Sequence, residues 1–271
     1  MSWVAALPMY ALSPELVRDS NAILRILIDE QRRRGWREDV TVLAPESLHS
    51  GLEAHWTYPN LFLSQTCGYP LLTKLADQVT LLATPHYDAP GCSGPNYSSA
   101  LVVNAAQGPS TLAECAGRVA AVNTSDSNSG MNMFRHSVAP LAKEGTFFRK
   151  VIVTGSHVAS LKAVADLTAD VAAIDAVTLE LAREHFPELV AQVRVIGFTA
   201  PTPSLPLICS RQLPEATIAG LREDLLTLPE RHAPLLARLK IAAFSWLPLD
   251  RYSPILAAEQ QAQLLGYAQL R

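Results

Sequence analysis

Asn123-Thr124-Ser125-Asp126-Ser127-Asn128-Ser129-Gly130 and Thr154-Gly155-Ser156-His157-Val158-Ala159-Ser160-Leu161 are two short hydroxyl-rich loops, and their flanks decide how the chain is read. Each follows a β-branched run, Arg118-Val119-Ala120-Ala121-Val122 and Lys150-Val151-Ile152-Val153, and each leads into helical spacing. Both therefore read as strand-to-helix turns. Unpaired backbone N–H groups and the positive end of the helix dipole make such turns natural anion sites. The serine hydroxyls add donors and acceptors, and His157 adds a group whose charge changes near neutral pH. Two such turns in one parallel-sheet unit predict a pocket for a small oxyanion, with Ser127, Ser129, Ser156 and His157 as its candidate contacts.

Outward from these loops the punctuation is that of an alternating α/β chain. A strand is expected at Val4–Tyr10, then a helix capped by Ser13 with Pro14 at its first position and ending before Gly35. Strands follow at Val40–Ala44, Leu61–Ser64 and Val79–Thr84, with short helices at Gly51–Trp56 and Leu71–Ala76 between them. The Pro- and Gly-rich stretch from Pro85 to Ser98 breaks the order. A second series has strands at 100–104, 118–123, 150–154, 171–175 and 193–198. Two α/β lobes are indicated: 1–98 plus 200–271 as lobe 1, with the helical tail 214–271 packing back on it, and 99–199 as lobe 2. A chain that leaves one lobe near 98 and returns near 200 has two linkers, which predicts hinge closure.

Composition narrows the functional classes. The 271 residues are 49% hydrophobic and 17% charged, enough for real cores and a soluble globular protein. A formal net charge of −3 gives no electrostatic reason to expect nucleic acid as a partner. The one compact basic run, Arg32-Arg33-Arg34, reads as a helix end favoured by the dipole. No stretch reaches transmembrane length, and Met1-Ser2-Trp3 leads into Val4 with no basic n-region, so the chain as written reads as cytosolic, the alternative being a mature protein re-started with a methionine. Cys67, Cys92, Cys115 and Cys209 lack metal-ligand spacing and read as free thiols, with a Cys67–Cys92 bridge as the alternative. There is no G-x-S-x-G, H-E-x-x-H, Walker A or G-x-G-x-x-G pattern, so no catalytic residue, cofactor or metal is expected.

Five segments in register carry a family resemblance: Ser64-Gln65-Thr66-Cys67-Gly68-Tyr69-Pro70, Tyr97-Ser98-Ser99-Ala100-Leu101-Val102-Val103, Ser127-Asn128-Ser129-Gly130, Thr154-Gly155-Ser156-His157 and Ala172-Ala173-Ile174-Asp175. In this order they resemble the substrate-binding proteins of phosphate, phosphite and phosphonate ABC importers. The resemblance implies a type 2 periplasmic-binding-protein fold, α/β and two-lobed, with two hinge crossovers and a central ligand cleft. It further implies a monomer that clamps a small oxyanion without chemistry, a periplasmic location and an ABC permease as partner. By the same resemblance Ser127, Asn128 and Ser129 hold the phosphoryl oxygens with His157 beside them. Asp175 faces the rest of the ligand, and Tyr69 matches the aromatic after the second-strand loop. The amine-contacting tyrosine of aminoalkylphosphonate binders falls near Leu48, where this chain has no aromatic, which argues against aminoethylphosphonate.

Each candidate also has a local reading. Ser127, Ser129 and Asp175 suit helix caps, His157 suits a satisfied histidine on a first helical turn, and Tyr69 before Pro70 suits turn packing. Tyr10 and Ser64 follow strands at what the fold would make the ligand edge, and His86 and Tyr87 are weaker candidates on the same ground. Two rivals share the architecture: a cytosolic enzyme resembling those of menaquinone synthesis, acting on a small carboxylate, and a cytosolic ligand sensor.

Overall fold

The computed structural model describes residues 2–48 and 51–271. In chain order its elements are β1 Trp3–Ala6, α1 Pro14–Arg33, β2 Val40–Val42, α2 Leu52–Trp56, β3 Leu61–Gln65, α3 Gly68–Pro70, β4 Val79–Tyr87, β5 Cys92–Ser93, β6 Asn96–Tyr97, β7 Ser99–Asn104 and β8 Val119–Val122. They continue with α4 Met133–Val138, β9 Lys150–Val153, α5 His157–Ala165, β10 Val171–Asp175, α6 Ala176–His185, α7 Pro187–Val190, β11 Val193–Phe198 and β12 Thr202–Pro203. The last are β13 Leu207–Ser210, α8 Glu215–Arg238, β14 Ile241–Ser245 and α9 Pro254–Leu264. The chain divides into two units, 1–88 with 203–251 and 89–202 with 252–271.

Unit 1 is built on a six-stranded sheet in the order β14-β4-β13-β3-β1-β2. Helix α1 shows why local sequence suffices for such an element. The Ser13 hydroxyl accepts from the Leu16 N–H at 3.3 Å, Pro14 opens the helix, and Leu16, Ile23, Leu24, Leu27 and Ile28 form the buried face. Gly35 then takes φ +106°, a left-handed conformation that ends the helix at low steric cost. The basic run at its end is consumed within the unit: Arg32 pairs with Asp29, Arg33 with Glu30, and Arg34 reaches Asp224 of α8 at 2.9 Å. Asp224 also accepts from Gln31 Nε2 at 2.7 Å, so a buried carboxylate pins α1 to α8.

Unit 2 is a five-stranded mixed sheet in the order β11-β7-β10-β8-β9. Strands β8, β9 and β10 are parallel, while β7 runs antiparallel to both β10 and β11. Alternate residues of β7 feed opposite cores. Leu101 and Val103 pack with Phe134, Phe147, Phe148 and Tyr267, whereas Ala100 and Val102 pack with Leu161, Val164, Ile174 and Leu179. Both faces are covered, as the near-continuous apolar strands require.

Several boundaries differ from the sequence expectation: β1 ends at Ala6 rather than Tyr10, and the chain returns to unit 1 at Pro203 rather than 200. Strand β4 runs through Pro85 and His86 to Tyr87, because those residues pair with β14, a partner distant in sequence that local punctuation does not reveal. Unit 2 accordingly begins at Ala89, and the proline- and glycine-rich stretch contributes the β5–β6 pair to it. The C-terminal segment also departs: residues 252–271 belong to unit 2, not to the first lobe, so the chain passes between units three times rather than twice. The physical cause is burial and backbone pairing. Ala262 and Tyr267 lie in the unit 2 core, and the Arg271 carbonyl accepts from the Phe147 and Phe148 N–H groups at 2.7 and 3.0 Å. Replacing the fully buried Tyr267 by alanine should cost about 3–5 kcal/mol, the usual loss for a large aromatic, and urea unfolding followed by a unit 2 probe checks it. A change below about 1 kcal/mol would contradict the assignment of the tail to this core.

Candidate functional site

In unit 2 the two loops emerge from the carboxyl ends of neighbouring parallel strands, β8 and β9, and Asp175 ends the third, β10. The antiparallel strands bring Ser99 and Phe198 to that same edge, since Asp175 lies opposite Ser99 and Phe198 opposite Ala100. This is the edge at which open α/β sheets take ligands. Each turn is closed by a side-chain cap. Ser127 Oγ accepts from the Gly130 N–H at 3.0 Å, Ser156 Oγ from Ala159 at 3.1 Å, and Asp175 Oδ1 from Thr178 at 2.9 Å. Capping at these positions is therefore real, and for Ser127 it leaves the hydroxyl proton free of that bond.

The structure joins three of the candidates directly. Ser127 Oγ and Ser129 Oγ lie 3.4 Å apart, and Ser129 Oγ lies 2.9 Å from His157 Nε2. The Ser99 hydroxyl donates to the Ser129 carbonyl at 2.9 Å and fixes that turn from below. Gly130 admits the arrangement, because a Cβ there would collide with Asn123 Oδ1 and sit 3.1 Å from His157 Cε1. Asn123 Oδ1 and His157 Nδ1 are enclosed polar atoms without a hydrogen-bond partner. Burial pushes the His157 pKa down from 6.5 to about 4, and the Ala173 backbone pulls weakly the other way without a bond of ordinary geometry. The imidazole is thus neutral at pH 7. With its proton on Nε2 the ring donates to Ser129 Oγ and leaves the Ser129 hydroxyl proton for an anion, whereas with its proton on Nδ1 the ring accepts from Ser129 instead.

The remaining candidates fall in different places. Asn128 is fully buried and its carboxamide is spent inside unit 2, on Tyr97, Thr202 and Asn132. Ser156 is exposed at the start of α5, and Asp175 is 2% exposed at the start of α6. Ser64 lies in unit 1, where its hydroxyl meets His55 Nε2 at 3.1 Å. Tyr10 packs edge-on against Tyr87, with ring centroids 5.4 Å apart, beside a cavity of about 30 Å³ that Gln65, Pro85 and Phe244 also line. Gln65 Nε2 donates to the Tyr87 hydroxyl at 2.8 Å. Tyr69 is half-buried at the short α3 turn, and His86 Nε2 meets Ser245 Oγ at 2.7 Å. Sequence reasoning did not single out Ser99, Asn123, Asn132 or Arg135. The hydroxyl triple Tyr97-Ser98-Ser99 at a strand start, and the spacing of Asn128 and Asn132 by one helical turn, are the signals that point to two of them. No disulfide joins Cys67, Cys92, Cys115 or Cys209, and among the described residues no cluster of His, Cys, Asp or Glu could hold a metal ion. No described helix is long and apolar enough to cross a membrane.

The sequence profile of the periplasmic substrate-binding proteins of phosphonate ABC transporters matches residues 61–252. The chain belongs to this family. No curated protein matches its sequence. Among solved structures it is similar to the binding-protein component of an ABC phosphonate transporter from Pseudomonas aeruginosa, at 19% identity and a TM-score of 0.79, covering 98% of this chain and 87% of that one. It is also similar to PhnD1 from Prochlorococcus marinus in complex with methylphosphonate, at 15% identity and a TM-score of 0.77, covering 97% and 98%. A Xanthomonas citri protein bound to ATP follows at 16% identity and a TM-score of 0.70, covering 98% of each chain. At such identities the likeness establishes the fold, the two-lobed α/β architecture of type 2 periplasmic binding proteins.

A buried and a half-buried histidine, both neutral, give a pH test. His55 is also pushed down to about 4 by burial. Between pH 6.5 and 4 the unfolded chain binds protons at both positions that the folded chain does not, so stability falls as pH falls through that window. The expected outcome is a melting temperature that drops from pH 7 to pH 4.5, with a smaller drop in the His55→Gln and His157→Gln variants. An equal drop in all three proteins would contradict the neutral assignment.

Proposed function

We propose that Ser127, Ser129 and His157 form the anion site of a solute-binding protein for a small phosphoryl oxyanion of the phosphate, phosphite or phosphonate class. The protein returns its ligand unchanged and delivers it to an ABC permease from the periplasm, by the role of its family. The observation that carries the reading is the Ser127–Ser129–His157 chain of polar atoms at the carboxyl edge of β8 and β9. Two serine hydroxyls supply neutral donors with His157 engaged behind them on Ser129 Oγ, and neither loop contains a lysine or arginine. Hydrogen bonds to an ionised phosphoryl group are strong enough for such a site to hold it, the more so where water is excluded.

The acidic groups sharpen the ligand class. Asp126 lies within the first loop and Asp175 ends the adjacent strand, so a fully ionised phosphate would meet repulsion there. A singly ionised oxyanion with a protonated oxygen or a small carbon substituent suits the site better. The methylphosphonate held by the Prochlorococcus relative is of that chemical type and supports the reading.

The test is a thermal-shift screen of phosphate, phosphite, methylphosphonate, aminoethylphosphonate, sulfate and small carboxylates, with calorimetry on the hits. A ligand at 100 times its dissociation constant adds about 2.7 kcal/mol of stability. Ser129→Ala and His157→Ala should each weaken binding of the phosphorus oxyanion by about 1–3 kcal/mol. Unchanged affinity in both variants would sink the site, and a response to carboxylates alone would favour an enzyme on this fold.

A further inference from the structure

Behind the anion loop runs a chain of buried amides whose hydrogen bonds lead toward the three places where unit 2 connects to the rest of the chain. Asn128 and Asn132 are both 0% exposed and stand one turn apart on the same helical segment. Asn128 Nδ2 donates to Thr202 Oγ1 at 3.0 Å and to the Tyr97 hydroxyl at 3.2 Å. Its Oδ1 accepts from Asn132 Nδ2 at 3.1 Å, and that same Nδ2 donates to the Ile255 carbonyl at 2.9 Å. Asn132 Oδ1 in turn accepts from Arg135 at 2.7 Å, and the buried guanidinium is held by the Ala268 carbonyl and by Glu259.

The far ends of these bonds are not scattered. Thr202 is the last residue of unit 2 before the chain passes to unit 1, and Ile255 follows closely on the re-entry at Tyr252. Tyr97 pairs with Cys92, whose N–H donates to the carbonyl of Ala89, the residue at which unit 2 begins. One helical turn thus carries the anion loop at its start and hydrogen bonds toward all three connections on its flank. The carboxamide of Asn128 has both N–H groups and its oxygen engaged, which is the chemistry of a brace.

We infer that Asn128 is a positioning residue that couples occupancy of the Ser127–Ser129 site to the three inter-unit connections, with Asn132 and Arg135 holding it in place. The inference rests on the anion-site reading above. An anion drawing on the hydroxyls of Ser127 and Ser129 stiffens the turn between them, and Asn128, the residue between, passes that ordering to Thr202, Tyr97 and, through Asn132, to Ile255. Coupling of this kind requires contiguous elements that both ends bias, and here they are hydrogen-bonded in series.

Hydrogen exchange read on peptides spanning the three connections tests it, with methylphosphonate, phosphite and phosphate as probes. Thr202→Val removes one acceptor of Asn128 without touching the anion loop, and Thr202→Ser keeps it. The wild type and Thr202→Ser should show slower exchange at the connections on binding. Thr202→Val should lose that protection even at saturating probe and bind about fivefold more weakly. Tyr97→Phe removes the other acceptor and should give the same loss if Thr202→Val fails to fold. Full protection and full affinity in the folded acceptor variants overturn the coupling. Binding by the wild type with no change at the connections overturns it too and leaves the anion site standing, whereas no binding of any of the three probes overturns both.

Discussion

Three helix beginnings set side by side along one sheet edge constrain the rest of unit 2. Backbone N–H groups at a helix start need acceptors, and β8, β9 and β10 each deliver the chain into such a start. Ser127, Ser156 and Asp175 meet part of that need from within. The parallel order of the strands then forces the three turns to the same edge, and the two-sided apolar core keeps the strands in register. A concentration of donors follows from the topology before any ligand is considered. A second layer of hydroxyls lies behind the edge, Ser99 under the Ser129 carbonyl and Ser129 against His157.

The neutral imidazole is consistent with this economy of charge. Burial lowers its pKa, so the site offers dipoles and hydroxyls rather than a fixed cation. Such a site avoids the desolvation cost of a buried lysine or arginine. The buried guanidinium of Arg135 is paired with Glu259 and turned toward Asn132. Its charge is spent on orientation.

Much of this was legible from residues alone because it is local. The strand-loop-helix grammar around 118–130 and 150–161, the Ser13 cap with Pro14, and the expectation that Ser127 and Asp175 cap helices all depend on neighbours within a few positions. The family resemblance rested on the same short segments in register. What escaped the sequence is what distant residues decide. Pro85 reads as a breaker, yet β14 recruits it into a strand; the helical tail 214–271 reads as packing back on the first lobe, yet Tyr267 and the Arg271 carbonyl place its end in unit 2. Asn128 is the most instructive case. Its position between two serines suggests a ligand contact, and only the tertiary neighbours Tyr97 and Thr202 reveal that its amide faces inward.

The central claim is that a phosphoryl oxyanion is held at the edge defined by Ser127, Ser129 and His157. Titration of nitrogen-15-labelled protein with methylphosphonate, followed by amide and imidazole resonances, addresses it most directly. The account predicts that the amides of residues 128–130 and 157–159 and the His157 ring nitrogens shift together along one saturable curve. Saturable shifts confined to other parts of the chain, with these resonances unmoved, would contradict it.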